Sequence, residues 1–86
     1  MADRFTDNAR QSRFELDVDG RVAFADYRRA SGGLQILHVE APPALRGTGA
    51  ASRLMERIVA VARAEGLPII PWCGYAASWL RRNKAA

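Results

Sequence analysis

The 86-residue sequence is 49% hydrophobic, which is typical of one small globular domain and excludes both a two-domain chain and a disordered one. Its single cysteine, Cys73, excludes an internal disulfide and argues against a cysteine-based zinc site, so we expect no metal. The net charge of +4 comes almost wholly from dispersed arginines, which suits a small phosphorylated ligand as well as it suits a nucleic acid.

The sequence carries no signal for export or membrane insertion. Its first ten residues, MADRFTDNAR, lack the apolar core of a signal peptide. No apolar run approaches the ~18 residues that cross a membrane. We therefore expect a cytoplasmic protein without a membrane partner, and the lone cysteine agrees with a reducing compartment.

Two strands are predicted at the start of the chain. The segment RFELDV alternates strictly between apolar and charged residues, which predicts a half-buried strand. Asp19-Gly20 then predicts a type I′ hairpin turn, because both central residues of that turn need a positive φ angle. The next segment, RVAFADYRR, predicts a second strand with Val22 and Phe24 facing inward.

A third strand and a long helix follow. The segment LQILHVE has a mixed pattern that predicts a strand buried on both faces, and Pro42-Pro43 ends it. Three strands joined by two short turns make an antiparallel meander. Apolar residues then recur at helical spacing until Gly66, which is a typical residue just past a helix end.

The rest of the chain predicts one more strand and one more helix. LPIIPW predicts a short apolar strand and YAASWLRRN a terminal helix, with Trp72 and Trp79 expected to pack in the core. The predicted fold class is α+β, in the order β-β-β-α-β-α, as a single domain over residues 10–83. Residues 1–9 are expected to form a flexible or an edge segment.

Two glycines, Gly47 and Gly49, stand where the long helix should begin. Glycine destabilises a helix interior by roughly 1 kcal/mol relative to alanine, so the pair indicates a turn. A glycine-rich turn at a helix N-terminus can bind an anion, since the first amides lack internal partners and a phosphate can approach them closely. A P-loop would need a lysine that is absent, and a dinucleotide fingerprint would need glycine in place of Ser52.

A third motif fits this turn. Residues 46–51, RGTGAA, match the pattern of glutamine or arginine, two residues, glycine, one residue, and glycine or alanine. This is the pyrophosphate-binding motif of the GNAT superfamily of acetyl-CoA-dependent N-acetyltransferases, which the chain resembles over about residues 10–83. It is most similar to the short YjdJ-like subfamily, in its size, in the run E-x-P-x-x-x-R-G-x-G from Glu40, and in P-x-C-x-Y from Pro71. The resemblance implies a GNAT-like mixed β-sheet.

The sequence departs from that subfamily in two places. Gly74 stands where a proline usually follows the cysteine. The end of the chain, RRNKAA, replaces a histidine–proline–acidic tail that commonly follows the final helix. The second departure leaves any contribution of the C-terminus to the site open.

The resemblance also implies how acetyl-CoA would be held as co-substrate. The backbone of Leu37, His38 and Val39 would pair with the pantetheine arm in the manner of an added strand. Backbone amides at the helix N-terminus would hold the CoA pyrophosphate, and the residues concerned are Arg46, Gly47, Thr48, Gly49, Ala50 and Ala51. An ordinary turn is the simpler alternative for the two glycines.

Four residues are candidates for the chemistry, which needs a deprotonated amine and a proton for the departing thiolate. His38 and Glu40 lie two apart on the third strand and share one face, where either could accept the amine proton. Cys73 precedes the terminal helix and could line the site, or form an acetyl-cysteine with His38 as its base. Tyr75 could protonate the thiolate. Direct transfer is preferred over the covalent route.

The leading interpretation is an acetyl-CoA-dependent N-acetyltransferase that acts on an amine. A non-catalytic CoA- or acyl-CoA-binding module is the alternative, since so short a chain has little extra structure to shape an acceptor pocket. A nucleic-acid adaptor ranks last because charge alone supports it. The acceptor stays open between a small amine, a polyamine, a peptide N-terminus and a lysine side chain, and the oligomeric state stays open as well.

Overall fold

The computed structural model describes residues 3–83, which form one sheet and two α-helices. In chain order these are β1 (Asp3–Asn8), β2 (Arg13–Val18), β3 (Arg21–Ala30), β4 (Gly33–Glu40), α1 (Ala50–Glu65), β5 (Ile69–Pro71) and α2 (Gly74–Arg82). Short 3-10 turns lie at Ala9–Gln11 and Pro43–Leu45. Residues 84–86, which belong to the divergent C-terminal tail, and residues 1–2 lie outside the described range.

The five strands lie side by side in the order of the sequence. The first four pair antiparallel, and β5 pairs parallel to β4 after the crossover through α1. The predicted α+β class, the mixed sheet and the antiparallel meander are therefore confirmed. An additional strand, β1, pairs with β2 at the sheet edge, within the segment that the sequence left as flexible or edge.

The turn between β2 and β3 sets which residues of β3 face the core. Asp19 and Gly20 have φ angles of 53° and 88°, as the predicted type I′ turn requires. A two-residue turn makes Val18 and Arg21 direct partners, and this register continues down the hairpin. Directly opposite residues share a face of the sheet. Every second residue of β3 from Ala23 onward therefore lies on the same face as the buried residues of β2.

The prediction that Val22 and Phe24 face inward is therefore wrong. Ala23, Ala25 and Tyr27 carry the inward face of β3 and are buried, whereas Val22 is 37% exposed. The two alanines are small because α1 packs directly on β3. The larger apolar residues Val22 and Phe24 point to the other side of the sheet.

Both helices pack on one face of the sheet. Helix α1 lies across β2, β3 and β4, and α2 lies beside it on β4 and β5. The described residues leave the opposite face of the sheet without a covering element, and we call this the open face; it carries Phe24, His38 and Glu40. Only one face of β4 is buried, at Leu34 and Ile36, so the predicted burial of this strand on both faces is wrong.

The two tryptophans have opposite environments. Trp79 is 2% exposed, and its Nε1 donates a hydrogen bond of 2.8 Å to the hydroxyl of Ser52, which fixes α2 against α1. Trp72 is 68% exposed, so the predicted core packing is wrong for this residue. It follows Pro71, the partner of the buried Ile36, and side chains alternate between faces along a strand. Continuing this alternation one residue past the end of β5 puts Trp72 on the side of the open face.

Strands β4 and β5 diverge after three paired residues. Their pairing ends at Ile36 and Pro71, where the Trp72 and Cys73 amides both donate to the carbonyl of Ile36, at 2.9 and 3.3 Å. A bulge on the β3 side leaves Leu37 without an opposite residue. From residue 37 to residue 40, the β5 side of β4 has no strand partner among the described residues, so its backbone is free to pair with a ligand.

Candidate functional site

The turn before α1 adopts the backbone that its glycines allow. The 3-10 turn Pro43–Leu45 leads into Gly47 and Gly49, whose φ angles are 79° and 84°. Both lie in the left-handed region that residues with a Cβ rarely adopt. A Cβ added to Gly47 would meet no atom within 4 Å, so the space beside the turn is open to a ligand.

Several amides of this turn and of the first turn of α1 have no acceptor. The Arg46 and Thr48 amides donate to carbonyls of the preceding 3-10 turn, at 3.2 Å each, and the Ala50 amide reaches the Thr48 hydroxyl at 3.3 Å. Within residues 3–83, four nearby amides donate no hydrogen bond, and they belong to Gly47, Gly49, Ala51 and Ser52. Unpaired amides at a helix N-terminus are the donors that hold a phosphate.

A guanidinium is held beside these amides. Arg53 donates to the Thr48 carbonyl at 3.1 Å and to the Asp3 carboxylate at 2.6 and 3.3 Å. A Cβ added to Gly49 would lie 3.5 Å from this guanidinium. Hydrogen bonding to Arg53 lowers the pKa of Asp3, so the pair is charged at neutral pH. The Asp3 carboxylate of β1 thus holds the Arg53 guanidinium beside the start of α1.

Two adjoining cavities, of about 260 and 250 Å³, connect the turn to the unpaired edge of β4. We call them together the cleft. Both cavities are lined by Ala41, Arg46, Ala51 and Tyr75. The first also reaches the two glycines of the turn, and the second reaches the end of β4. The cleft therefore extends from the glycine turn before α1 to the unpaired edge of β4.

His38 and Glu40 lie on the open face, at the end of β4 next to the cleft. His38 Nε2 and Glu40 Oε1 are 2.9 Å apart, and each side chain is 54% exposed. The His38 ring lies 6.2 Å from the Phe24 ring. Glu40 also lines the cleft, so this pair stands where a proton acceptor could reach a group bound there.

Cys73 and Tyr75 approach the cleft from the start of α2. Tyr75 lines both cavities and is 36% exposed, and burial raises the pKa of its hydroxyl. A phenol with a raised pKa stays protonated and can donate its proton. Cys73 precedes the first residue of α2 and packs, partly buried, against the core. Its backbone amide donates a hydrogen bond of 3.3 Å to the carbonyl of Ile36, where β4 and β5 diverge.

The structure brings most of the predicted site residues together. The cleft is lined by Val39, Glu40, Arg46, Gly47, Gly49, Ala50, Ala51 and Tyr75. The side chains of Leu37, His38 and Cys73 are not part of that lining, but all three residues adjoin the divergence of β4 and β5 or the strand beyond it. Thr48 lines a separate cavity of about 430 Å³ on the other side of the turn.

Sequence reasoning missed Ser52 and Arg53. The free Ser52 amide could have been expected, because the first four amides of any helix lack internal partners. Arg53 stands four residues after Gly49 and so on the same side of the helix start, which is a weak signal. Its partner Asp3 lies 50 positions away, and no local pattern joins them.

The described residues contain neither a cluster of metal ligands nor a helix that could span a membrane. Among residues 3–83 no group of three or more histidine, cysteine, aspartate or glutamate side chains could hold a metal ion. In the same range no helix combines the length and apolarity needed to span a membrane.

A mixed sheet that opens beside a helix start offers free amides of the kind that can hold a phosphate, next to a strand edge that can pair with a ligand. The chain belongs to the GCN5-related N-acetyltransferase family, whose family model matches residues 13–86. This match covers nearly the whole chain but does not distinguish the YjdJ-like subfamily within it. A search of curated proteins found no match.

Proposed function

We propose that this protein transfers the acetyl group of acetyl-CoA to an amine. The observation that carries the proposal is the continuity of the cleft, which joins four free amides to an unpaired strand edge. CoA has a matching order of groups, with a pyrophosphate followed by an amide-rich arm and a terminal thioester. Membership of the acetyltransferase family supports the same ligand.

The residues present fit CoA. The amides of Gly47, Gly49 and Ala51 would hold the pyrophosphate, aided by the dipole of α1. The free edge of β4 from Leu37 to Val39 would pair with the pantetheine amides as an added strand does. A thiol at the end of that arm would then lie near the divergence of β4 and β5, close to Cys73.

The side chains near the divergence of β4 and β5 can accept the proton of the amine and supply a proton to the thiolate. Glu40 or His38 takes a proton from the acceptor amine, whose nitrogen then forms a bond to the thioester carbonyl carbon as the carbon–sulfur bond breaks. Tyr75 gives its proton to the departing thiolate, and the two hydrogen-bonded residues on β4 share the proton taken. Direct transfer requires no covalent enzyme intermediate.

The test is mass spectrometry after incubation with acetyl-CoA and a panel of amines. Direct transfer gives acetylated amine with unmodified protein, and Cys73→Ala then keeps most of the activity. A covalent route gives an acetyl adduct on Cys73 that hydroxylamine removes, and Cys73→Ala loses nearly all transfer. CoA binding that yields neither product would identify the non-catalytic binding module.

The remaining assignments are also proposals. We propose an amine acceptor and no nucleic-acid partner, since the arginines are dispersed along the chain and no basic run is present. We also propose a cytoplasmic location, which the lone cysteine supports because a chain without a disulfide suits a reducing compartment.

A further inference from the structure

Two large apolar side chains are exposed where β4 and β5 diverge. Trp72 is 68% exposed and Leu37 is 41% exposed. The Trp72 amide donates to the carbonyl of Ile36, the residue before Leu37, so the two side chains start from neighbouring backbone positions. Tryptophan is highly buried on average, and an exposed apolar patch made by more than one side chain is typical of a binding surface.

This apolar pair starts on the open-face side of the sheet, because Leu37 lies between the buried Ile36 and the outward-facing His38, and Trp72 follows the partner of Ile36. Val39 faces the helices and lines the cleft, whereas His38 and Glu40 face the open side. An acceptor that approaches from the open face therefore reaches the divergence of β4 and β5 from the side that CoA leaves free. Glu40 borders both sides, since its carboxylate contacts His38 while the residue lines the cleft.

The charge of the Glu40 carboxylate on the open face suits a cationic ligand. Asp17 and Asp26, also on the open face, are paired with arginines at 3.6 and 3.1 Å. Within residues 3–83 the Glu40 carboxylate has no arginine partner and contacts only His38, at 2.9 Å. A carboxylate that forms no ion pair with an arginine can attract an ammonium group, and Arg46, which lines the same cavity, donates instead to the carbonyl of Ala41 at 3.4 Å.

We propose that the acceptor is a small primary amine with an aromatic ring, bound on the open face. Its ring lies on Trp72 and Leu37, and its ammonium group lies at Glu40 and His38, which then take the proton before transfer. The proposal rests on the proposed function and names the substrate class of that same site.

The spacing of these residues limits the length of the acceptor. Leu37 and His38 are adjacent, and one residue along a strand spans about 3.3 Å. A ring joined to nitrogen by two or three carbons bridges this distance, as in tryptamine or phenethylamine. A polyamine and a short alkylamine have no aromatic ring to lie on the tryptophan.

The experiment compares initial rates with tryptamine, phenethylamine, spermidine, butylamine and a lysine peptide. We expect the two arylalkylamines to have the highest kcat/KM. Trp72→Ala should raise the KM for tryptamine about tenfold, because a stacked aromatic contact is lost, and leave the KM for acetyl-CoA unchanged. Trp72→Phe should restore most of the affinity. Preference for spermidine or the peptide, or an unchanged tryptamine KM in Trp72→Ala, would overturn the proposal.

Val22→Ala is the matched control, since Val22 is an exposed apolar residue of the open face on β3, where no part of the cleft lies. It should leave the tryptamine KM unchanged. Failure of the proposed function gives a different pattern, with no turnover of any amine. In that case calorimetry of tryptamine against the CoA-saturated protein decides: binding that Trp72→Ala weakens supports the acceptor site, and no binding overturns it.

Discussion

Gly49 has no Cβ and lies at the start of α1, where we propose that the CoA pyrophosphate binds. Its φ angle is 84°, its amide has no acceptor within the described chain, and Arg53 lies beside it. Gly49→Val adds a branched Cβ and forces the turn out of this conformation. We expect CoA affinity, measured by calorimetry, to fall at least tenfold, equivalent to about 1.4 kcal/mol of binding free energy.

The control for Gly49→Val is Gly66→Val, at the other end of the same helix. Gly66 has a φ angle of 69° and open space around it, so the backbone strain is similar but distant from the cleft. It should lower the melting temperature and leave CoA affinity unchanged. If a folded Gly49→Val protein binds CoA as tightly as the wild type does, the turn has only a structural role.

Tyr75 is predicted to act as the proton donor. Tyr75→Phe removes the hydroxyl and keeps the ring, so kcat should fall roughly 100-fold while CoA affinity changes little. The acid must be protonated, so activity is lost as pH rises through its pKa, which burial raises above its ordinary value. A pH–rate profile of kcat should show this basic limb in the wild type and lose it in Tyr75→Phe. A variant with full kcat would assign the proton to another donor.

Among the elements, β1 is the one that couples the sheet edge to the binding turn. Asp3 holds Arg53 by two hydrogen bonds, and Asp7 holds Arg29, which also pairs with Glu65 of α1. Asp3→Asn removes the charge that positions Arg53. We expect CoA affinity to fall about threefold at low salt, and less at high salt, because the pair is exposed and screened.

Arg4→Ala tests whether β1 acts through this one contact. Arg4 is the next residue of the strand, faces the other way, and makes only a loose 3.6 Å pair with Asp17. It should leave the CoA dissociation constant unchanged. An equal loss of CoA affinity in Arg4→Ala would mean that β1 matters through strand stability, and not through the position of Arg53.

For the whole molecule, ligand binding should control stability. A domain of 86 residues buries a smaller fraction of its chain surface than a larger one, so its margin is small. CoA at about 100 times its dissociation constant adds roughly 2.7 kcal/mol to the free energy of unfolding. Thermal scans should show a rise in Tm of about 10 °C or more, and much smaller rises with AMP or NAD. No shift up to millimolar CoA would contradict the assigned cleft.

The sequence by itself determined the local structure. Alternation predicted the strands, Asp19-Gly20 the type I′ turn, and the two glycines the start of α1, because each signal acts over a few neighbouring residues. The family motif pointed to CoA for the same reason, since it is one continuous stretch. The inward face of β3 could also have been predicted from the sequence, because a two-residue turn fixes the register of its hairpin.

Only the tertiary structure decided which residues distant in the sequence become neighbours. The divergence of β4 from β5, the bulge at Leu37 and the exposure of Trp72 follow from how distant strands pair. The contact between Asp3 and Arg53 joins residues 50 positions apart, and β1 itself is ordered by pairing with β2. Such contacts arise when the helices close on one face of the sheet, so the location of the cleft and of the open face depends on packing and not on local pattern.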